Sequence, residues 1–571
     1  MPAPMLSVVV PAHDAAPWIG ELIESILDQH IDSMELLVVD DRSGDGTPGI
    51  VESIAARDSR VMLMPSRAPG GAAARNTGVD AAAGEYLVFA DADDIVPSGA
   101  YRAMLDSLQR SGSDIVIGDH LKFSPTRTWS PTQRWYSFDA GVERTTIDRV
   151  PGLLAGRACW NRMFRRSFWD AASLRFPDVG HADDIEPMTR AVLTASSIDV
   201  VPDCIYLYRD RAGGEAGSMS NRSDERAFLE YLREETTCAR LVRSSAPELV
   251  GQQSMLVVDA DGWVHVDRYF AQIPDGEDVP PAARAAIATL LAELDPIVLD
   301  GAAPERRLLF ALLWADELRA AVAFASAART RASDPAALLR QWTDAVALLV
   351  GSDRVSALDP QRLIVDGLLR AYLHTADAVP ISELAALVTS AARVVTGAAR
   401  ALDHSSELID ATACAVVAGD AEAVRRISAL RRYAPIVIDE VRPTTRDLTV
   451  LGPSPTLEQA PSAVVVLRGP ESSVEIVPLE SNDGRWRAQI DASVLQAGRW
   501  TATARFRMST VEVEVPLVTA RMPIPPLDGT HLLQPLSDRR DGWRFLVDRR
   551  PEPSLARRAR TALGRLRGSR S

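Results

Sequence analysis

Leu37-Val38-Val39-Asp40-Asp41-Arg42-Ser43-Gly44-Asp45-Gly46-Thr47 is the stretch on which the fold turns. Glu35–Asp40 reads as a β-strand, and Asp41 to Thr47 close it with turn-forming residues. Upstream lie a β-rich run, Leu6–Pro11, and a helical pattern, Ala16–Gln29, with Trp18, Leu22, Ile26 and Leu27 along one side. Downstream follow a helix (Gly49–Ala56), a short strand (Val61–Met64), a Gly/Ala-rich helix start (Gly70–Ala82) and the strand Glu85–Ala90. Strands recurring with helices between them imply a parallel sheet. Ligands of such sheets sit at the carboxyl ends of the strands. Acid clusters stand at two of those ends: Asp40-Asp41 and Asp91-Ala92-Asp93-Asp94.

The chain has 571 residues, enough for three or four domains at about 100–200 residues each. Its formal charge of −15, with 24% charged and 46% hydrophobic residues, is that of a globular protein. An acidic chain lacks the basic face that phosphate backbones need, so no nucleic acid is expected as the main partner. Cys159, Cys204, Cys238 and Cys414 form no CxxC pair, which fits a reducing compartment and neither a zinc site nor a disulfide scaffold. Lys122 is the only lysine, a compositional bias toward arginine. Met5 to Ala12 reads as a buried strand and not a signal peptide, and no run of about 18 apolar residues occurs. A cytoplasmic protein is expected.

Four regions are expected: an α/β domain at 1–222, an α-helical linker at 223–435, a small β-sandwich at 436–525 and a basic tail at 526–571. Ala282–Leu294, Glu305–Ala325, Pro335–Leu349 and Ile381–Ala401 carry the helical pattern. The Pro/Gly/Ser-rich Arg442–Pro461 marks a boundary. Ala463–Leu467, Ser473–Leu479, Arg485–Ile490, Trp500–Met508 and Val511–Val518 then alternate with the period of strands. From Arg549 onward eight arginines face one glutamate, Glu552. Leu555, Ala559, Ala562, Leu563 and Leu566 can line one side of a helix there. That pattern suits either a solvated terminus or a basic amphipathic segment peripheral at the inner membrane face.

Two carboxylates separated by one residue after a buried strand repel each other unless something positive joins them. Asp91 and Asp93 therefore suit a hard divalent cation with oxygen ligands, which would also neutralise a diphosphate leaving group. Around them the chain resembles the family 2 glycosyltransferases of the GT-A nucleotide-sugar-binding fold. Ser7-Val8-Val9-Val10-Pro11 is like the opening strand, the stretch quoted first is like "VVDDgSxDgT", and Ala74-Arg75-Asn76-Thr77-Gly78 is like "ARNxG". Gly84-Glu85-Tyr86 through Asp94 resembles "GeYixflDxDD", and Ala158 to Phe164 resembles "vwnKly". His181-Ala182-Asp183-Asp184 is similar to the "xxED" site, and Tyr206-Leu207-Tyr208-Arg209-Asp210-Arg211, with Ser218, to the closing "YxYRxR…S".

The resemblance covers residues 5–220 and implies an inverting, metal-dependent transferase using a nucleotide sugar, UDP-linked by analogy. By the same resemblance, Pro11 and Asp41 line the base and ribose pocket and Arg75 reaches the nucleotide. Asp91 contacts ribose or sugar, Asp93 holds Mn²⁺ or Mg²⁺ on the diphosphate, and Asp184 is the general base. Arg209 and Arg211 steady the diphosphate. The order of parts is similar, more loosely, to bacterial enzymes that glycosylate wall teichoic acid. That implies a polymeric or lipid-linked glycan acceptor and a homo-oligomer, a trimer. Capsular or exopolysaccharide synthesis, or a non-catalytic sugar-nucleotide-binding scaffold, are the alternatives.

The chain departs from the family pattern at His13-Asp14, Ala68, Arg162 and Asp183. Asp259-Ala260-Asp261-Gly262 repeats the DxD spelling, but between the apolar runs Met255–Val258 and Trp263–Val266 it reads as a hairpin turn. His13, His30, His120 and His181 lack partners at metal-ligand spacing. Trp160 and Trp169 suit core packing as well as sugar stacking.

Overall fold

β1 (Leu6–Ala12), β2 (Met34–Asp40), β3 (Val61–Pro65) and β4 (Tyr86–Phe89) run parallel in the order β3-β2-β1-β4. The computed structural model to which these strands belong describes residues 3–131, 136–211, 224–274, 276–350, 352, 358–396, 407–432, 436–443, 447–453, 463–470, 473–478, 480–482, 485–491, 494–519, 531–536 and 543–549. By internal contact the chain divides into two compact units. One is Met1–Ser326 with Asp353–Leu358, the other Ala327–Ser352 with Asp359–Ser571.

In the first unit the parallel half of the sheet continues into a mixed half. β8 (Arg162–Arg165) lies antiparallel between β4 and β5 (Ile115–Ser124). β5 runs parallel to β9 (Ile198–Arg209), and β7 (Val142–Thr145) closes that edge. β6 (Arg127–Trp129) pairs with the far end of β5. Helices α1 (Ile19–Leu27), α2 (Thr47–Ala55) and α3 (Gly71–Ala81) link the parallel strands. Residues 6–10 of β1 and all of β4 are buried, so these strands read as apolar runs without alternation, as strands covered on both faces do. In α1, Ile19, Leu22, Ile23 and Ile26 are the buried positions, one face of a helix at its 3.6-residue period. A Cβ at Gly78 would lie 2.4 Å from Val9 Cγ1. The glycine of the "ARNTG" segment is therefore there to let α3 lie close on β1. α4 (Ala100–Ser111), α5 (Arg166–Ala171) and α6 (Ile185–Thr194) complete the α/β part.

Besides Pro281–Leu291 and Pro304–Trp314, this same unit holds three helices that bear on the site: α7 (Glu225–Ser245), α8 (Val250–Asp259) and α9 (Asp261–Phe270). They overturn the hairpin expected at Asp259–Gly262. Ala260 (φ −133°, ψ −95°) is a helix–helix junction. The flanking apolar runs are helical, with Leu256, Val257, Val258 and Val266 buried. Short apolar runs do not distinguish strand from helix by periodicity, and length decided the matter. Arg157, from the loop before β8, anchors these helices. Its guanidinium pairs with Glu235 of α7 (Nη1 to Oε1, 3.0 Å) and Asp261 of α9 (2.8 Å). Gln253 of α8 donates to the same Glu235 carboxylate. The helical region expected as one linker thus divides near Ser326, its first part folding with the nine-stranded sheet.

The second unit carries helices Pro335–Val350, Ile381–Val395, Glu407–Val417 and Ala421–Arg431, followed by two sheets. One sheet orders Ile436–Ile438, Glu512–Thr519, Gly498–Arg507, Ala463–Arg468 and Ser473–Pro478. The other orders Glu440–Pro443, Asp447–Pro453, Arg485–Asp491 and Glu480–Asn482. The first sheet runs past residue 525, where a basic tail was expected. His531–Leu536 pairs with Trp543–Arg549, and the latter with Gly498–Arg507. Pro535 and the intervening arginines hid these strands, because proline demotes a run to an edge. Residues 550–571, with the arginine-rich pattern, lie outside the described residues. Among the described residues no helix is long and apolar enough to cross a membrane.

Candidate active site

The carboxyl ends of β1, β2 and β4 open on one side of the sheet, and the acids of the sequence motifs gather there. Asp41 follows β2 directly. Its N–H donates to Ala12 C=O (2.8 Å), and its carboxylate accepts the Gly70 N–H (2.7 Å) and pairs with Arg42 (3.0 Å). Pro11 sits beside it, in register with Val39. Asp45 builds the turn: it accepts from Thr47 N–H (2.9 Å), the Thr47 hydroxyl (2.5 Å) and Ala16 N–H (3.0 Å).

At the end of β4 the Asp91 N–H donates to the Tyr206 hydroxyl (2.8 Å), which fixes the start of the acidic segment on β9. Asp93 accepts from the Arg211 guanidinium (Nε, 2.7 Å), and its backbone carbonyl accepts from Arg209 Nε (2.7 Å). Arg209 also pairs with Glu21 of α1 (2.7 Å), and its own N–H donates to Asp94 Oδ1 (2.7 Å). Arg211 lies over the Trp18 ring, 4.1 Å from its centre. Burial and neighbouring Asp91 raise the Asp93 carboxyl above its ordinary range, with Arg211 opposing. Burial, then Asp93 and Asp91, push Asp94 much higher.

Arg75, from α3, joins this corner to the next. Its two terminal nitrogens reach Asp91 (2.7 Å) and Asp183 (2.7 Å), and the side chain is 11% exposed. A forked, permanently charged donor suits such a bridge, because one lysine ammonium reaches only one of two separated acids. Asp184 stands at the N-terminal boundary of α6. Burial and Asp183 push its pKa up to about 7, against the attraction of Arg75. A carboxylate poised near neutrality is what general base catalysis asks for.

Arg162, at the position of the family's lysine, is buried and donates to Asn161 Oδ1 (3.3 Å) and to the Gly156 carbonyl. Burial lowers its pKa to about 10. Four features of the site were missed: Cys159, Tyr206, Trp18 and Glu21. The Cys159 thiol is buried within electrostatic reach of Arg75 and Asp184 and is pushed up by burial, so it stays neutral. The pairing of Trp18 and Glu21 with arginines 188 or more residues away leaves no mark in local spacing.

Other singled-out residues lie elsewhere. His120 packs edge-on against Trp160 (4.7 Å) and stays neutral, burial lowering its pKa to about 3. Trp160 stacks on Tyr206 (4.4 Å), and Trp169 packs among Phe89, Phe164 and Phe176 in the core. His13 Nδ1 meets the Asp41 carbonyl (2.7 Å), and His30 is exposed beside Asp28. Ser218 lies outside the described residues. No group of three or more His, Cys, Asp or Glu able to hold a metal occurs among the described residues. One or two carboxylates completed by substrate phosphates are nonetheless an ordinary Mg²⁺ arrangement, and Asp93, a carboxyl at the end of β4 beside Asp91, offers the hard oxygen ligands that chemistry uses.

A mixed sheet with a parallel half, acids at its β2 and β4 ends and a carboxyl of pKa about 7 beside an arginine bridge has the layout of a GT-A domain. Residues 7–171 match the family model described as glycosyl transferase family 2, and this part of the chain is a family 2 glycosyltransferase domain. The chain is 29% identical over 215 residues to the uncharacterized glycosyltransferase EpsJ of Bacillus subtilis, covering 36% of this chain and 61% of the relative. It is 30% identical over 223 residues to the succinoglycan biosynthesis protein ExoO of Rhizobium meliloti, covering 37% and 62%. The match thus spans less than two thirds of either relative. Among solved structures it is similar to S. aureus TarS 1–349 in complex with UDP-GlcNAc, at 18% identity and a TM-score of 0.45, covering 57% of this chain and 92% of that one.

Proposed function

We propose that the protein is an inverting, metal-dependent glycosyltransferase moving a sugar from a UDP-linked donor to a hydroxyl of a surface polymer such as teichoic acid. The observation that carries this is the Arg75 bridge from Asp91 at the end of β4 (2.7 Å) to Asp183 (2.7 Å), which sets Asp184 beside the acids of the strand ends, with burial and Asp183 pushing its pKa up to about 7. Asp184 takes the proton of the acceptor hydroxyl as that oxygen attacks the anomeric carbon. The bond from that carbon to the diphosphate oxygen breaks, and the electron pair leaves with UDP. No covalent enzyme intermediate is needed, and the anomeric configuration inverts. Pro11 and Asp41 line the nucleoside pocket, Asp91 meets ribose or sugar, and Arg75 orients the nucleotide. Arg209 and Arg211 stabilise the diphosphate as charge builds on it. A divalent ion on Asp93 would neutralise the leaving diphosphate when bound.

The name of ExoO supports exopolysaccharide synthesis as the second reading of the acceptor. Trimer formation, and contact of the tail beyond Arg549 with an anionic membrane, belong to the proposal as well. A panel of UDP-, GDP- and dTDP-sugars, with released nucleotide as the readout, tests the reading. Turnover is expected with a UDP-sugar and Mn²⁺ and is expected to vanish with EDTA. No release from any donor, with or without Mn²⁺, would leave only the scaffold reading.

Arg211 now supplies the positive charge that a cation would supply to Asp93. Replacing it by alanine should tighten Mn²⁺ binding to the donor-free protein at least about tenfold by calorimetry, its two charge-assisted hydrogen bonds to Asp93 no longer competing. Equal affinity in both proteins would separate Asp93 from the metal.

A further inference from the structure

The loop that leads into Asp184 is held from the helical region, outside the segment that matches the family. The Gly180 N–H donates to the Glu230 carboxylate of α7 (3.0 Å). Glu230 is fixed in turn by Arg226 one helical turn earlier (3.0 Å) and is only 14% exposed. His181 is buried edge-on against His265 of α9, with ring centres 5.4 Å apart. His265 itself stacks face to face on Tyr231 of α7, at 3.8 Å and 16°. Ala182 has φ +56°, a left-handed conformation that is costly for a residue with a side chain and persists only where its surroundings over-determine it. Asp183 is then tied to Arg75 of α3 (2.7 Å). The loop is thus pinned at 180, 181 and 183 from three different helices, and the strained residue lies between the pins.

We propose that Glu230 and His265 are positioning residues for the general base. α7 and α9 hold the 180–183 loop in the conformation that presents Asp184 to the acceptor hydroxyl, so the helical region is part of the catalytic apparatus. The inference rests on the reading of Asp184 as base. A misplacement of about 1 Å at a reacting group costs on the order of a hundredfold in rate. Releasing the pins lets Ala182 relax and does that without touching the nucleotide pocket.

The test uses the full chain, with UDP release from UDP-GlcNAc as the activity and UDP binding by calorimetry as the control. Glu230→Ala and His265→Ala are expected to lower kcat tenfold or more while KM for the donor and Kd for UDP stay within twofold. Glu230→Gln keeps an acceptor oxygen for the Gly180 N–H and is expected to recover most of the loss. The pH profile supplies the readout that a merely structural role would not move. The groups facing Asp184 are Asp183 on its own loop, Arg75 from α3, Asp91 after β4, and Cys159 and Arg162 from the β8 side. Moving the loop changes its distance to all of these, so the acid limb shifts in the alanine variants and not in Glu230→Gln. Unchanged kcat in both alanine variants, while Asp184→Asn is inactive, would overturn the positioning role. Parallel loss of kcat, UDP binding and melting temperature would overturn it too, as general destabilisation. Full activity in Asp184→Asn would instead remove the base, and the positioning role with it.

Discussion

Asp184→Asn is expected to lose about 10²–10⁴-fold in transfer, the span typical of one general base, while UDP binding stays at the wild-type level. Wild-type rate should rise with pH through about 7, because only the ionised carboxylate takes a proton. The stability of the same variant makes a second, opposite signature. The pKa of Asp184 is raised from an ordinary 3.8 to about 7, so the folded state holds this proton more tightly than the unfolded chain. That contribution is fully present below about pH 4 and is lost as pH rises through 7. At pH 8 the wild type therefore bears a charge that its surroundings oppose, and asparagine does not. The variant should melt higher than wild type at pH 8, by about 1–2 °C per kcal/mol relieved in a unit of this size, and with less advantage at pH 4. Calorimetric scans at the two pH values check this. A lower melting point at pH 8 would mean that Asp184 is favourably ionised and poorly suited to the role.

Arg75→Met is expected to be the most damaging single change in the site. Its guanidinium holds Asp91 and Asp183 together, at 11% exposure, and a buried pair broken from one side costs about 3–5 kcal/mol. In a unit of this size such a loss lowers the melting temperature by roughly 4–7 °C. The remaining acids then lack their counter-charge, so the acid limb of any residual activity moves to higher pH. Arg75→Lys should recover part of the stability and little of the transfer, since one ammonium does not span both carboxylates. Equal melting points for wild type and Arg75→Met would show that the bridge carries no weight in the fold.

The parallel half of the sheet was legible because β1, β2 and β4 are apolar runs that end abruptly in acids or turn residues. Asp41, Asp91 and Asp93 follow from that pattern alone. Asp184 and Arg75 needed the family resemblance, and even that left out what joins them. Asp91 and Asp183 are neighbours only through a side chain on α3, which no local spacing records. Cys159 lies inside the "vwnKly"-like segment, but nothing in its local spacing places its thiol beside Arg75 and Asp184. The misreading at Asp259–Gly262 has a different origin. An Asp-Gly pair between two short apolar runs is an honest turn signal, and here the turn joins helices because Leu256, Val257 and Val258 bury against a helical neighbourhood. The strands beyond 525 were masked by proline and arginine, and their place in the sheet comes from pairing with Gly498–Arg507, residues distant in sequence.

The Arg157 anchor bears on how this protein can be dissected. A fragment cut where the glycosyltransferase resemblance ends, near residue 220, keeps Arg157 but discards Glu235 and Asp261, both of its counter-ions. It also discards Glu230 and His265, the two contacts on the loop of Asp184. Such a fragment would carry every recognisable motif and still lack what holds them in working order. For grafting, fusion or recombinant expression, the exchangeable module extends at least to Ser326, within the helix Leu318–Thr330 and about a hundred residues beyond the last familiar sequence.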